Sequence, residues 1–486
     1  MAENRKCRSE IVSFAVELRT VSGMKTYQDL LKVSDNVKDR SDFVKAVIQE
    51  HKGSEMYRIA VIADQYDRQL NTTIMTYRKA LYNLEGRPVD DIWSANYKLA
   101  SNFFKRFVTQ QNQFLLGNGI TWNEDSTADK LGEDFDTEVQ KAGRAALVAG
   151  CSFGFWNLDK LVVFKLTEFA PLYDEENGAL MAGVRFWQLD STKPLRATLY
   201  ELDGYTDYLW EDGEAKVLKE KRPYILKTIT TQADGTEIYD GENYPSFPIV
   251  PFWGNPHHQS ELLGIRASID AYDIVKSGFA DDLDTAQLYW ILHNAGGMDD
   301  TDLKQFIERL HIVHAAVVDD AAGTAVDAHT VDIPHESREK LLDRIERDLY
   351  KDYMALDVQN IASGAATATQ IRAAYEPMNS KADEYEYCAI EFLRGICAVA
   401  GIEDSPSFTR STIVNVQEEV QTLIQGAQYL PEEYVTRKIL TLFGDVDLAD
   451  DILEEQEAED KERLDATINA AEEQEEVNQV NTPQQE

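Results

Sequence analysis

The chain has 486 residues, of which 43% are hydrophobic and 10% aromatic, so most of it is expected to fold around more than one core. The formal net charge of −38 argues against a general nucleic-acid binder, because such proteins neutralise phosphates with lysine and arginine. An acidic protein can still handle DNA that must slide past it without sticking. Since no stretch approaches the roughly 18 apolar residues of a membrane span, we expect no membrane association.

Cysteine and histidine positions indicate neither a disulfide framework nor a metal site. The four cysteines form no CxxC pair, which suits a reducing compartment. The adjacent His257 and His258 lack a third ligand at a useful spacing. His311 and His314 lie three residues apart on a predicted helix, but the glutamate of an HExxH motif is missing. We therefore expect no metal and no cofactor. The cysteines are Cys7, Cys151, Cys388 and Cys397.

The first 150 residues are predicted to be helical. Residues 1–53 are interpreted as a peripheral helical arm, and residues 54–78 carry a loose apolar stripe. Residues 96–122 predict a helix with an aromatic face that includes Leu99, Phe103 and Phe107. Its basic residues could contact phosphates, but a solvated face is the simpler interpretation; they are Lys98, Lys105 and Arg106. Residues 135–149 predict another helix, which ends at Gly150.

Residues 151–250 change to the period-two pattern of strands. The stretches are rich in β-branched and aromatic residues and are separated by turn sequences such as Asp203-Gly204. This pattern predicts an antiparallel meander of about seven strands. Prolines 245, 248 and 251 then predict an extended segment.

Two long amphipathic helices, over residues 260–287 and 337–356, flank a small mixed insertion. At about 1.5 Å per residue the helices would span roughly 40 and 30 Å, so they can lie side by side. Several aspartates, among them Asp270, Asp273 and Asp281, are interpreted as surrounding the first apolar stripe. The apolar residues expected to pack the helices are Ile265, Ile269, Tyr272, Leu342, Ile345 and Leu349.

A small, nearly uncharged loop over residues 358–368 follows the second helix. Its Gly364 permits a tight or left-handed conformation. Residues 371–399 then predict one long helix, which Pro377 is expected to kink. A loop held between two long helices is suited to being placed at a defined position, although an ordinary helical hairpin has the same pattern.

The C-terminal residues become progressively more acidic. Residues 411–425 and 431–443 predict amphipathic helices, and Pro431 occupies a favoured early-helix position. Residues 448–471 predict an acidic helix, and residues 472–486 are expected to be disordered.

Four stretches, taken in order, resemble the SPP1-like portal proteins of tailed bacteriophages over roughly residues 54–462. NYKLASNFFKRFVTQQNQFLLGNGITW resembles the early wing helix, and GCSFGFWNLD with APLYDEENGALMAGVRFW resembles the wing strands. IDAYDIVKSGFADDLDTAQ resembles the first stem helix. NIASGAATATQIRAAYEPMNSKADEYE resembles the tunnel loop that leads into the long wing helix. The ordered set carries the resemblance, because no single motif is highly specific.

The resemblance implies an α+β, mostly helical fold: a portal-type subunit with wing, stem, clip and crown. The implied parts are a helical arm (1–53), wing (54–259), first stem helix (260–287), clip (288–335), second stem helix (336–357), tunnel loop (358–368), long kinked wing helix (369–401), crown (402–471) and acidic tail (472–486). The tunnel loop would face DNA through Gln359, Asn360, Ser363, Gly364 and Thr367.

The resemblance also implies a function and partners. The expected protein is a non-enzymatic ring, most often a dodecamer, at one capsid vertex, through which double-stranded DNA is packaged and ejected. Terminase, a head-to-tail adaptor, and the major capsid and scaffold proteins are the implied partners. The expected location is the virion, after assembly in the host cytoplasm.

Two alternatives remain open. The chain could be a metal-dependent nuclease or hydrolase, because two-metal sites use carboxylates and acidic pairs occur at 281–282, 299–300 and 319–320. It could also be another ring component of a virion, although head-to-tail adaptors are usually much shorter. No P-loop is present, so the chain is not itself the packaging motor.

Overall fold

The computed structural model describes most of the chain as two compact units. One unit consists of the described residues up to Leu356 together with Pro377–Ser411, and the other of Asp357–Glu376 and the residues from Thr412 onward. Helix predominates over strand, which confirms the predicted mixed fold in its coarse form. The described residues are 24–82, 88–90, 95–190, 192–211, 214–232, 237–284, 288–293, 301, 305, 325–330, 335–358, 368–411, 416–443, 452, 453, 458 and 461.

The described helices include several that match the predicted periodicity closely. The helix predicted over residues 135–149 has those bounds and stops at Gly150, whose positive φ of 93° suits a residue without a Cβ. The helices are α1 (Tyr27–Leu31), α2 (Val37–Gly53), α3 (Glu55–Asp67), α4 (Thr72–Thr76), α5 (Phe103–Leu116), α6 (Asp125–Leu131), α7 (Phe135–Ala149), α8 (Arg266–Asp284), α9 (His335–Tyr353), α10 (Ala368–Ala400), α11 (Val416–Gly426) and α12 (Glu432–Phe443).

The strands form several antiparallel sheets. Five consecutive strands form a meander, as predicted, but the other strands between residues 151 and 253 belong to separate sheets. The larger sheets have five strands in the order β10-β9-β8-β7-β6 and three in the order β13-β4-β5. The strands are β1 (Ala80–Tyr82), β2 (Pro88–Asp90), β3 (Ile120–Thr121), β4 (Cys151–Asn157), β5 (Lys160–Lys165), β6 (Phe169–Tyr173), β7 (Leu180–Trp187), β8 (Leu195–Glu201), β9 (Gly204–Glu211), β10 (Glu214–Arg222), β11 (Ile225–Thr231), β12 (Glu237–Glu242), β13 (Ile249–Trp253), β14 (Leu288–His293), β15 (Ala325–Thr330) and β16 (Ser407–Phe408).

The proline-rich segment after residue 244 supplies strand β13, where the sequence predicted only extended chain. Pro251 lies opposite Phe153 of β4, so a strand that contains proline completes the edge of the three-stranded sheet. Prolines are tolerated at a sheet edge, because one side of an edge strand needs no ladder hydrogen bonds.

Helix α2 packs on the five-stranded sheet. Phe43, Val44, Val47 and Ile48 are buried in a cluster with inward-facing residues of β6 to β9, such as Val184. The spacing of these four residues places them on one face of the helix. The segment interpreted from the sequence as a peripheral arm therefore contributes a helix to the sheet's core.

A second core joins helices α5, α7 and α10 to strand β13. The ring of Phe252 in β13 stacks on Phe392 of α10, with 4.6 Å between centroids, and on Tyr385 at 5.9 Å. Gly154 of β4 packs against the Phe392 ring, since a Cβ there would lie 2.6 Å from Phe392 Cζ. The long helix is thus fixed to the sheet by aromatic packing.

Helix α10 is the predicted long helix, and Pro377 lies inside it. The kink expected at Pro377 stays a prediction. In the other unit, helices α11 and α12 correspond to the two amphipathic segments predicted after residue 410. Residues 472–486 lie outside the described residues. Among the helices that are described, none combines the length and apolar character that a bilayer crossing requires.

Candidate functional site

Helices α8 and α9 form a pair, and two paired strands lie between them in the chain. Helix α8 packs along α9, and strands β14 and β15, which follow the first helix and precede the second, pair antiparallel with Leu288 opposite Thr330. The predicted arrangement of two long helices with an insertion between them is therefore present. Most of that insertion, including His311 and His314, lies outside the described residues.

The apolar stripe of the helix pair is occupied within the subunit. Ile265, Ile269 and Leu349 are buried in the core that also contains Phe103 of α5. The ring of Tyr272 meets Phe103 edge-on with 5.0 Å between centroids. The stripe therefore anchors the pair to the rest of its own subunit. The remaining predicted packing residues are partly buried: Tyr272, Leu342 and Ile345.

The end of the α8–α9 helix pair that is nearest strands β14 and β15 is more exposed. Arg338 forms an ion pair with Asp282, and its guanidinium lies 5.8 Å from the centroid of the Phe279 ring. Leu283 and Leu341 are 58% and 45% exposed. The two leucines leave apolar surface uncovered on this subunit.

Helix α8 binds an extended segment through its side chains. We name residues 95–102 the strap; they precede α5 and have no helical structure. The amide N–H of Tyr97 donates to Asp281 Oδ1 at 2.7 Å, and that of Leu99 to Ser277 Oγ at 3.0 Å. The N–H of Ser101 donates to Asp273 Oδ1 at 2.8 Å. Three alternate residues of the strap are therefore held by three side chains of one helix.

The spacing of the two partners explains this match. Residues four apart on a helix are separated by roughly 6 Å along its axis. Alternate residues of an extended chain are separated by roughly 6.6 Å. Asp273, Ser277 and Asp281 can therefore bind every second amide of a chain that runs antiparallel to the helix.

The strap corrects the predicted start of helix α5. The sequence predicted a helix from residue 96, and Leu99 was assigned to its aromatic face. In the structure the helix begins at Phe103, because the strap amides that would otherwise cap or continue it are bonded to α8. Leu99 therefore belongs to an extended segment.

The aspartates of α8 were predicted as a charged surround, but two of them are buried. Asp273 is 0% and Asp281 3% exposed. Asp281 also pairs with Lys79 at 3.3 Å, whereas Asp273 accepts from the Asn71 amide. Burial raises the pKa of Asp273, and the hydrogen bonds from Asn71 and Ser101 oppose that rise. The four-residue spacing Asp-Ser-Asp was the signal available in the sequence.

Asp270 extends the same polar face by one turn. It accepts hydrogen bonds from the Tyr66 hydroxyl and from Thr73 Oγ1, the latter at 2.8 Å. Helix α8 therefore holds the α3–α4 region as well as the strap through directional bonds.

These contacts weaken the nuclease alternative. Asp281 and Asp282 are engaged by the strap amide, Lys79 and Arg338. Across the described ranges, the structure groups no three histidine, cysteine, aspartate or glutamate side chains as metal ligands would be grouped. The acidic pairs at 299–300 and 319–320 lie outside those ranges.

Three of the histidines and bases singled out in the sequence make side-chain contacts within the protein. His258 stacks on Trp253 with 3.8 Å between ring centroids, and burial lowers its pKa to about 4. Lys98 Nζ donates to Asn96 Oδ1 at 2.9 Å, and Arg106 donates to the Tyr350 hydroxyl. Lys105 is exposed.

The residues predicted to face DNA belong to a segment between two described helices. The described chain reaches Val358 and begins again at Ala368, so Gln359, Asn360, Ser363, Gly364 and Thr367 lie outside the described residues. The structure does describe both flanking helices, α9 and α10.

Comparison with known proteins identifies the family. The sequence profile described as "Phage portal protein, SPP1 Gp6-like" matches residues 45–462, which is most of the chain. The chain belongs to this family. It is therefore a phage portal protein and a virion component, as the resemblance predicted.

Two relatives carry the same description. The portal protein of Clostridium phage phiCD119 is 21% identical over 427 residues, covering 79% of this chain and 92% of the relative. The portal protein of Bacillus phage SPP1 is 25% identical over 389 residues, covering 72% of this chain and 74% of the relative. This portal protein thus spans most of the length of both.

Solved structures give a weaker likeness. The neck of an empty gene transfer agent particle matches with a TM-score of 0.38 and 12% identity, over 70% of this chain and 90% of the other. The virion of a native gene transfer agent particle gives 0.37, also at 12% identity, with 70% and 89% covered. These scores are too low to establish a shared fold.

Proposed function

We propose that this portal protein assembles as a ring of about twelve subunits at one capsid vertex and forms the channel for DNA. Family membership is the observation that carries the proposal. In this role the protein is structural and carries out no catalysis. The engagement of Asp281 and Asp282 in contacts within the subunit supports a non-enzymatic role.

The proposed division follows the order of elements along the chain. Residues 54–259 are the wing, and 1–53 an arm before it. Residues 260–287 and 336–357 are the stem helices on either side of the clip (288–335), and residues 369–401 are the long wing helix. The paired helices α8 and α9, with the paired strands β14 and β15 between them in the chain, support the stem and clip. Residues 402–471 form the crown, and 472–486 an acidic tail.

Contacts between subunits must overcome electrostatic repulsion. Each chain carries a formal charge of −38, so neighbours in a ring repel unless counterions or specific contacts compensate. The stem stripe is already used within the subunit. Large apolar residues of the described stem remain exposed for a neighbouring subunit, and among them Leu283 and Leu341 lie at the end nearest the clip.

The tunnel loop, residues 358–368, is proposed to face the channel. It is small and contains no charged residue, so it can approach DNA without gripping it. Gln359, Asn360, Ser363 and Thr367 can form weak, reversible hydrogen bonds with phosphates. The acidic body of the ring would keep DNA from adhering to the channel wall.

The remaining partners are proposed from the same role. Terminase would dock on the clip during packaging, and a head-to-tail adaptor would replace it afterwards. The major capsid and scaffold proteins would contact the ring at the vertex, during assembly in the host cytoplasm.

Loop variants test the proposed channel role. Gly364→Val restricts the backbone of the loop, and the pair Gln359→Glu and Asn360→Asp places like charges opposite phosphate. We expect both to form rings of normal mass and to reduce the DNA packaged per particle, measured as nuclease-protected DNA.

Exposed wing residues provide the matched control. Gln188→Glu with Gln232→Glu adds the same two charges at exposed positions of the wing. This pair is expected to package normally. Wild-type packaging by the loop variants, with intact rings, would contradict the channel-facing role.

A further inference from the structure

The last turn of α9 and the residues just after it, which lead directly into loop 358–368, are held by polar contacts. Helix α9 ends at Tyr353, and the next residue, Met354, has a positive φ of 61°. The N–H of Ala355 then donates back to the Tyr350 carbonyl at 2.9 Å. A left-handed residue at this point stops the helix and redirects the chain. The course of the chain just before the loop is therefore set within residues 353–356.

The side-chain amide of Gln110 in α5 binds both backbone polar groups of Leu356. Its Nε2 donates to the Leu356 carbonyl at 3.0 Å, and its Oε1 accepts from the Leu356 N–H at 3.2 Å. The side-chain amide thus pairs with one residue as a neighbouring strand would. Because the two bonds go to the peptide groups on either side of the Leu356 Cα, they fix the orientation of this residue's backbone as well as its position.

Lys381 of α10 binds the same turn from another direction. Its Nζ donates to the Tyr353 carbonyl at 3.0 Å and lies 2.6 Å from Glu261 Oε2. The ammonium also lies 3.4 Å from the centroid of the Tyr353 ring. Lys381 therefore links the end of α9, the segment before α8 and the helix that follows the loop.

The environment of Lys381 makes this contact costly to break. Burial lowers its pKa, and the carboxylate of Glu261 opposes that fall and favours the charged form. Asn255 Nδ2 donates to the other oxygen of Glu261 at 2.9 Å, so the carboxylate is held in place. Removing one partner of such a pair leaves the other buried without its counter-charge.

Two further polar residues of α5 bind the same turn. Gln111 Oε1 accepts from the Tyr353 hydroxyl at 2.7 Å, and Arg106 donates to the Tyr350 hydroxyl. Apolar packing could hold the end of a helix without this many directional bonds. Polar contacts add orientation, because each requires a particular geometry.

We propose that Gln110 and Lys381 are positioning residues that set where the tunnel loop leaves the stem. The residues concerned, Tyr353 and Leu356, are five and two positions before the loop, and they are held from both the early wing helix α5 and the long wing helix α10. This inference rests on the proposed channel role of the loop. It adds that wing helices control the loop's root through two side chains that do not themselves contact DNA.

Amide hydrogen exchange on the assembled protein is the direct test. Gln110→Ala and the similarly sized Gln110→Met both remove the two bonds to Leu356. We expect exchange in peptides that cover residues 354–367 to accelerate roughly tenfold or more, while helices α5 and α7 exchange as in the wild type. A general loss of stability would instead accelerate exchange throughout the unit.

Gln113→Ala provides a matched control on the same helix. Gln113 is exposed, and its Nε2 lies 3.5 Å from Gln140 Oε1, away from the stem. This variant is expected to leave exchange at residues 354–367 unchanged. Unchanged exchange at these residues in both Gln110 variants would overturn the inference, even if every variant forms rings and packages DNA.

The ion pair gives an independent arm of the test. Lys381→Met and Glu261→Gln are each expected to accelerate exchange at residues 353–358 and to reduce packaged DNA in rings of normal mass. The failure of the wild-type protein to form rings would refute the proposed function instead. Rings that package normally despite faster exchange at the loop root would overturn the positioning role.

Discussion

The sheets formed by residues 151–253 and helix α8 are stabilised in different ways. In the three-stranded sheet, Phe155 and Phe164 meet with 5.9 Å between centroids, and Tyr200 of the five-stranded sheet lies 5.3 Å from Phe155. This core depends on buried aromatic area. Helix α8, in contrast, turns Asp273, Ser277 and Asp281 toward the strap and holds it by hydrogen bonds to amides.

The difference shows what each region can control. Aromatic packing is strong and not very directional, so it suits a platform that must stay folded. Bonds from side chains to alternate amides fix register, because a slip of one residue would leave the donors and acceptors unmatched. Helix α8 and residues 353–356 use the second kind of contact, which fixes the position of the chain.

The largest expected effect comes from the aromatic core. Phe164 is fully buried, and its ring also lies 5.8 Å from that of Phe169. Phe164→Ala is expected to lower the free energy of unfolding by about 3–5 kcal/mol, measured by urea denaturation. Leu158→Ala, in the exposed turn between β4 and β5, should cost far less. Equal losses would show that the sheet does not depend on this cluster.

The next largest effect is a dependence of the free energy of unfolding on pH, caused by His51. This histidine of α2 is buried, with Nε2 2.8 Å from the Leu166 carbonyl, and burial lowers its pKa to about 4. Between pH 6.5 and 4 the unfolded chain binds a proton that the folded chain does not. Unfolding should therefore become easier as pH falls through this range, by on the order of 3 kcal/mol for this residue.

The variant His51→Gln separates this contribution from the others. Glutamine retains a donor for the Leu166 carbonyl but does not titrate. Its urea midpoint should fall less steeply below pH 6.5 than that of the wild type. His258 titrates in the same range and remains in both proteins, so it cancels in the comparison. Parallel pH profiles would show that His51 is not the group responsible.

A smaller and more local loss of stability is expected when the contacts of helix α8 are changed. Asp273→Ala removes the acceptor for the Ser101 amide and should cost about 2 kcal/mol, with faster exchange of the strap amides. Asp273→Asn keeps an acceptor oxygen and removes a charge whose burial is unfavourable, as the raised pKa indicates. We expect the asparagine variant to be the more stable of the two. The opposite order would mean that the negative charge itself is required.

The sequence predicted those features that depend on local periodicity. Helix α7 has the predicted bounds, and α8, α9 and α10 were each anticipated. The strap was missed because its amide partners are about 170 to 185 residues away in the chain. Strand β13 was missed because its prolines disfavour a strand everywhere except at an edge.

The candidate site was predicted less completely than the fold. Asp273 and Asp281 were taken as surface charges, since carboxylates are seldom buried unless their partners are known. Gln110 and Lys381 had no recognisable motif, because their partners are mainly backbone groups, which a sequence does not distinguish. The tunnel-loop residues stay a prediction.

The native mass of the purified protein at moderate salt tests the central claim most directly. A portal ring predicts a particle of roughly twelve times the 55.1 kDa subunit mass. Leu283→Asp with Leu341→Asp should shift that particle toward smaller species if these leucines meet a neighbouring subunit. A wild-type protein that remains a monomer or dimer, with and without scaffold protein, would contradict the account.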